Sequence, residues 1–394
     1  MWLQPQYQDT KEFQTFWKQG NGKELIDMSG AQVSLEGFDE YAHLYYEADT
    51  LGDLAVKDLF FTMPFTEAYK RIENYAVHGI DDTVDVPESV RNLFMQMQTQ
   101  PDWLNTPLLQ AGAELCMRSG LNALVVLRDF TLMGGYDYAY LNKPLIFTGA
   151  LKKGAVKRLT DTLDFWVNVT RVNALQIHAK GYEFCAKTRM IHSYSRLMIL
   201  EKMKNWNTKQ WGLPVNSWDM IATYIGFSLT FCLGLKKLGM EISEEEELGL
   251  FHLWKYVGYL IGIPAEYIPD NAREATEQFY LWSSIQPSSD VDSVMLAKFL
   301  LNENLESTIY KRMYMRKRLR YLHICCNWFL LDAETNKRLQ IPDVSFKNAF
   351  PKLLIMRNKR TKSQSRNKQV MKGDKAQQKV LNDYLIHSPR NTHG

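Results

Sequence analysis

Apolar positions recur along most of this chain at spacings of three and four, the period of a helix that buries one face. The first thirty-odd residues are polar and show no clear pattern. Beyond them, residues 39–49 (DEYAHLYYEAD) and 53–76 read as helices, with Pro64 dividing the second. Pro87, followed by the acidic Glu88, marks a helix start, and Asn105-Thr106-Pro107 repeats that arrangement before the apolar run LLQAGAELCMRSGLNALVVLRDF. Gly112 and Gly120 weaken a helix there and mark places where another element or a ligand comes close. Gly134-Gly135 then breaks the chain before a helix predicted over 136–151 and interrupted by Pro144.

From Arg158 to Thr170 apolar residues stand at 159, 163, 166, 167 and 169, a helix burying one face. The pattern reads helical again from Ala174 through Gly181 to Met203. Asn216 or Ser217 caps the next helix, which stops at Gly239, and Ser243 with Glu246 forms a capping box for another that Pro264 ends. Helical pattern continues to about Leu331, with a cationic face of Lys311, Arg312, Arg316, Lys317, Arg318 and Arg320. No alternating strand pattern and no strand–helix–strand rhythm occurs. The prediction is an all-α fold, a single large helical domain.

Composition agrees with a large packed interior. The 394 residues are 45% hydrophobic and 23% charged, with 20 Tyr, 19 Phe, 10 Trp and 17 Met, residues suited to an irregular interior. Cysteines 116, 185, 232, 325 and 326 lack metal-site spacing. Their odd number and the polar start argue against a disulfide framework, so a reduced, cytoplasmic protein is expected. No apolar run reaches the roughly eighteen residues of a membrane span; residues 221–235 come nearest and read as a buried core helix.

The net charge of +3 is uneven: residues 357–379 carry nine Lys or Arg against Asp374 alone. Composition predicts a solvated tail there, able to touch acidic surfaces such as a membrane. No aromatics interleave these cations, which argues against a specific nucleic-acid platform. The division expected is a helical cap over 1–105, a core over 106–335 and a basic, flexible tail over 336–394. The cap is assigned to the core because no linker rich in Pro, Gly or Ser separates them. Truncation after Leu354 is expected to leave the fold unchanged.

The chain lacks a P-loop, a dinucleotide fingerprint, H-E-x-x-H, G-x-S-x-G and C-x-x-C. It also lacks paired metal-binding histidines and Glu-x-x-His, which removes the carboxylate di-iron bundle. A metal would rest on isolated histidines, and haem needs only one. His192 is eligible, with Arg189 three residues before and Arg196 four after to suit porphyrin propionates; His178, His252 and His323 are nearly as eligible.

The segments RLTDT, TRMIHSYSR, DMIATYIGFSLTFCLGLKKLG and FHLWKYVGYLIGIP, in this order over roughly residues 110–265, resemble the rubber oxygenase and MpaB oxygenase catalytic-domain family. The resemblance implies a globin-like helical core, haem b, and oxygen-dependent cleavage of an isoprenoid double bond. It assigns His192 as the proximal iron ligand, in the R-x-x-H setting of Arg189. It matches Arg158 and Thr162 to the distal R-x-x-x-T motif and Thr223 to a second distal threonine. His252 and Trp254 fall in the family's H-x-W segment and read as structural. Rubber-cleaving members carry a lysine before the distal threonine, able to take the sixth iron position; here that place is Asp161. The place of their catalytic acid falls near Asn142.

The expectation is thus a haem b (iron) oxygenase acting with O2 on an apolar, unsaturated isoprenoid or lipid-like substrate. Arg158, Asp161, Thr162 and Thr223 are its candidate catalytic residues. His192 is the metal ligand, with Arg189 and Arg196 beside the cofactor. Two alternatives stand: a haem-binding sensor or carrier without turnover, which Asp161 favours, and a cofactor-less helical lipid-binding module.

Overall fold

The computed structural model describes residues 3–81, 85–149, 154–361 and 363–387. The end of the helix predicted through residue 151, the tail cation Lys362 and residues 388–394 lie outside these. Helix makes up 72% of the chain and no strand occurs among the described residues, so the all-α expectation holds.

The polar start is not featureless. Two short helices occupy it, α1 (Lys11–Gln19) and α2 (Asn21–Ser29), with Thr10 capping the first by accepting from the Phe13 N–H. Phe13 and Trp17, four apart, are buried, and Trp17 donates its indole N–H to Ser283 at 3.0 Å. Nine residues rich in Lys, Gln and Glu obscure that stripe. Further along come α3 (Thr50–Leu59), α4 (Phe65–His78) and α5 (Glu88–Gln98). Pro64 sits as the residue preceding α4, so it separates two helices and kinks neither.

Next in order are α6 (Thr106–Arg118), α7 (Gly120–Val126, continued by a π turn over Leu127–Leu132) and α8 (Ala139–Phe147). Then come α9 (Ala155–Val169), α10 (Lys180–Lys202), α11 (Ser217–Lys237) and α12 (Glu244–Leu260). Both glycines singled out in the long apolar run mark close approaches. A Cβ on Gly112 would lie 2.2 Å from the Gly249 carbonyl oxygen, so α6 and α12 cross backbone to backbone. Gly120 adopts φ +52°, and Gly373 lies against it.

Helix α10 starts later than its apolar pattern suggested. Residues 171–179 form turns, with Asn173 and His178 at positive φ, and the chain doubles back over the first turn of α10. Gly181 permits this, because a Cβ there would meet the Ala174 oxygen at 2.7 Å.

Helix α11 is apolar and long enough to cross a membrane by length and composition, but 72% of its most apolar window is buried in the fold. It too contains a π turn, Gly226–Thr230. The Thr131 hydroxyl of the α7 π turn donates to the Gly226 carbonyl at 3.2 Å, so the two irregular turns face each other. Beyond α12 come α13 (Ala272–Ser283), α14 (Val291–Glu306), α15 (Met313–Leu330), α16 (Ala349–Thr361) and α17 (Arg366–His387).

The expected flexible tail is therefore corrected: its described residues carry α16 and α17, docked on the core. Buried Gly373, Gln377 and Leu381 repeat at intervals of four. The Gln377 amide donates to the carbonyls of Cys116 (2.9 Å) and Gly120 (3.0 Å) and accepts from Arg171, which also pairs with Asp374 at 2.7 Å. A composition rich in lysine hid one narrow, partly polar stripe. All five cysteines are buried and free.

Candidate functional site

Helices α9 to α12 bring together most of the residues singled out above. Helix α10 is buried over much of its length although it is rich in charge, because its charged side chains find partners. Arg189 is 2% exposed and grips Asp49 through two bonds, Nε to Oδ2 at 2.6 Å and Nη2 to Oδ1 at 2.8 Å; its Nη1 donates to Gln96 at 2.5 Å. Two turns on, Arg196 holds Asp53 by Nε (3.0 Å) and Nη2 (2.7 Å), and donates to the Val215 carbonyl at 2.8 Å. The N-terminal end of α3 is thereby pressed onto α10; a Cβ on Gly52 would come within 2.4 Å of the Ser193 hydroxyl. Both guanidinium groups expected to await cofactor carboxylates are already engaged by protein carboxylates.

Between these two arginines stands His192. Its Nδ1 is buried and has no hydrogen-bond partner. Burial, reinforced by the Arg196 charge and opposed by Asp49, lowers its pKa to about 4, so the ring is neutral at ordinary pH. A cavity of about 10 Å³, room for about one water molecule, opens beside it between Asp49, Ser193, Arg196, Ser217 and Gly262. The rival histidines each have one ring nitrogen engaged by the protein. His178 Nδ1 meets the Ala76 carbonyl at 2.9 Å, and His323 Nδ1 meets Asp129 at 2.6 Å. His252 Nε2 accepts the Asn105 N–H at 2.8 Å, in keeping with its structural reading.

On α9, Arg158 lies over the Tyr136 ring, 5.3 Å from its centroid, and its buried Nη1 has no partner. The Thr162 hydroxyl donates to the Arg158 carbonyl at 3.1 Å, and Thr223 on α11 does likewise to Asp219 at 2.9 Å. Each hydroxyl keeps lone pairs with which to accept. Asp161 departs from expectation: it is exposed and paired with Lys157 along the surface of α9, so its carboxylate is turned to solvent. Asn142 is buried and donates to the Tyr136 carbonyl (2.9 Å) and Ser293 (3.2 Å), a structural amide.

Aromatic rings join the remaining walls. Phe227 of α11 stacks on Trp254 of α12 at 4.4 Å and 9°, and Phe165 of α9 reaches the same indole at 6.5 Å. The Trp254 Nε1 is buried without a partner.

One buried acid escaped the sequence reading. Asp219, in the first turn of α11, is raised to about 7 by burial, against the donors Trp282 Nε1 (2.9 Å) and Asn216 Nδ2 (2.8 Å). An acid in the first turn of a helix is ordinary, so no sequence signal distinguished it.

A haem makes two demands that these residues can meet: a neutral imidazole with a ring nitrogen free for iron, and a cationic donor not already spent. His192 meets the first and Arg158 the second, whereas Arg189 and Arg196 hold α10 against α3. Among the described residues no group of three or more His, Cys, Asp or Glu is placed to hold a metal ion.

The family described as "ER-bound oxygenase mpaB/B'/Rubber oxygenase, catalytic domain" matches residues 124–355. The chain is similar to the rubber oxygenase of Streptomyces sp. (strain K30), 20% identical over 188 residues that span 47% of this chain and 45% of that protein. The match thus covers less than half the length of that relative. The fold is similar to a solved structure of latex clearing protein in the closed state, with a TM-score of 0.68 at 15% identity over 86% of this chain and 91% of that one.

Proposed function

Because this chain belongs to the family of mpaB and rubber oxygenase catalytic domains, we propose that it is a haem b-dependent oxygenase acting with O2 on an apolar, unsaturated substrate of isoprenoid or lipid-like class. The observation that carries the reading is His192, a buried, neutral imidazole whose Nδ1 has no partner, on the helix that packs against α9, the helix of Arg158 and Thr162. When bound, the haem supplies the oxygen chemistry; the protein supplies binding, orientation and electrostatics.

His192 would be the iron ligand, kept unprotonated by burial. The Asp49–Arg189 and Asp53–Arg196 pairs flank it and fix α10, so the ligand's backbone does not have to be organised on binding. Arg158, Thr162 and Thr223 would supply hydrogen-bond donors to O2. Arg158 has a free N–H already, and the threonines can rotate their hydroxyls away from the helix carbonyls. The Phe165–Trp254–Phe227 cluster offers an apolar wall that favours a hydrocarbon and excludes water.

A second reading, a haem-binding sensor or carrier without turnover, is favoured by Asp161. That position presents no side chain toward Arg158 and Thr162, and the Asn142 amide cannot serve as a base. Absorption spectroscopy tests the shared claim. Protein from haem-supplemented cells should show a Soret band that His192→Ala abolishes and His178→Ala preserves; a band that survives His192→Ala would move the ligand elsewhere. Incubation of the holoprotein with polyisoprenoid and unsaturated lipids under isotopically labelled O2 separates the two readings. Label in carbonyl products supports the oxygenase, and an intact Soret band with no label across the panel supports the carrier.

A further inference from the structure

Two acid-free stretches converge on one side of the molecule. Residues 307–331 carry six Lys or Arg and no acid, and residues 344–373 carry nine and none. The structure sorts the second stretch into an inner and an outer face. On the inner face of α16, Ile355 packs against Gly239 and the Asn358 amide donates to the Leu238 carbonyl at 2.8 Å. On the outer face Leu353 is 61% exposed and Met356 50% exposed, set among the exposed cations Lys352, Arg357, Lys359 and Arg360. Phe346, just before α16, is 84% exposed at positive φ. The Tyr321 hydroxyl of α15 donates to the Ser345 carbonyl, which ties this loop to the exposed stripe of α15 where Tyr314 and Lys317 lie.

We propose that the outer face of α16, with the Phe346 loop and the first turns of α15, docks on the anionic surface of a lipid bilayer. Large aliphatic and aromatic side chains held out in water have no use in the fold itself, and they stand among cations rather than among acids. That combination is the signature of a helix lying in a membrane interface: apolar side chains enter the acyl boundary while lysine and arginine stems reach back to the phosphates. The exposed residues of the α16 face itself are aliphatic and not aromatic, which suits acyl chains better than stacked bases. The inference stands apart from the haem reading, since it concerns the opposite face of another helix.

Flotation of the full chain with vesicles tests it. Wild type should float with phosphatidylcholine vesicles containing phosphatidylserine and not with phosphatidylcholine alone, and added salt should weaken the association. Two variants separate charge from insertion: Lys352→Glu/Arg357→Glu/Lys359→Glu/Arg360→Glu, and Phe346→Ser/Leu353→Ser/Met356→Ser. Each should lower partition by at least about tenfold while the thermal unfolding midpoint stays near that of wild type, because all seven side chains are at the surface. Partition of both variants equal to wild type would overturn the proposal. So would failure to float combined with binding of a single-stranded RNA that the charge variant alone abolishes, which would reassign the face to nucleic acid.

Discussion

The α10 and α9 sides of the candidate site are built in opposite ways. Around His192 on α10, the two neighbouring arginines are saturated by carboxylates that arrive from another part of the chain, and a small cavity lies beside the ring. Around Arg158 on α9, a buried guanidinium nitrogen is unpaired, the threonine hydroxyls turn back onto their own helices, and the acid between them faces water. The first region is rigid before any ligand arrives. The second holds polar capacity that the fold itself does not use. A site of this kind separates the task of holding from the task of reacting: internal ion pairs fix the holding side, while the reacting side keeps donors in reserve.

The contrast can be broken from its outside first. Helix α9 and the turn after it are braced from behind by α17, through Arg171, Asp374 and Gln377. Ending the chain after Thr361 strips Asp374 and Gln377 from the half-buried Arg171, leaving it only Thr170, and uncovers the groove filled by Leu381. The expected loss is at least about 3 kcal/mol of unfolding free energy, read from urea denaturation. This reverses the expectation that the C-terminal segment is dispensable, and an unchanged midpoint would restore it.

Asp49→Ala attacks the holding side and leaves Arg189 charged and buried. Such a break costs about 3–5 kcal/mol, whereas Arg158→Ala, which removes a donor that is already unpaired, should cost under about 1 kcal/mol by the same measurement. Equal costs for the two would erase the distinction between the sides. The smallest effect belongs to Asp161→Ala. An exposed pair along a helix contributes about 0.3–0.5 kcal/mol, so stability and the spectrum of bound haem should both stay close to wild type. A clear spectral shift would instead bring Asp161 back to the reacting face.

These regions also differ in how far the sequence foretold them. Helices with explicit caps were legible; the Ser243–Glu246 box forms as expected, with both of its hydrogen bonds present. The glycines of the long apolar run correctly marked close approaches. Elements held by non-local partners were not legible. Helices α1 and α2 bury too few residues to show a period, the turns at 174–179 carry a helical pattern, and α17 docks on glycine and glutamine. His192 was one histidine of several by chemistry alone, and the family resemblance singled it out. The reading of Arg189 and Arg196 as cofactor donors failed because Asp49 and Asp53 lie 140 and 143 positions away, with nothing local to announce the pairing. Asp161 was placed beside a ligand by its position between Arg158 and Thr162, but Lys157, one helical turn earlier, draws it to the surface.

The seating of α17 has a consequence for the order in which the molecule is made. Gln377 bonds to the Cys116 carbonyl across 261 positions of sequence, and Tyr384 closes on Glu303 across 81. During synthesis α6 and α7 leave the ribosome long before the helix that covers them, so the carbonyls of Cys116 and Gly120 and the Arg171 cation must wait without their partners. Contacts of such wide separation form late because the intervening loop must close first. The nascent chain therefore passes through a long interval with its groove uncovered, when a chaperone could hold it and a protease could reach it.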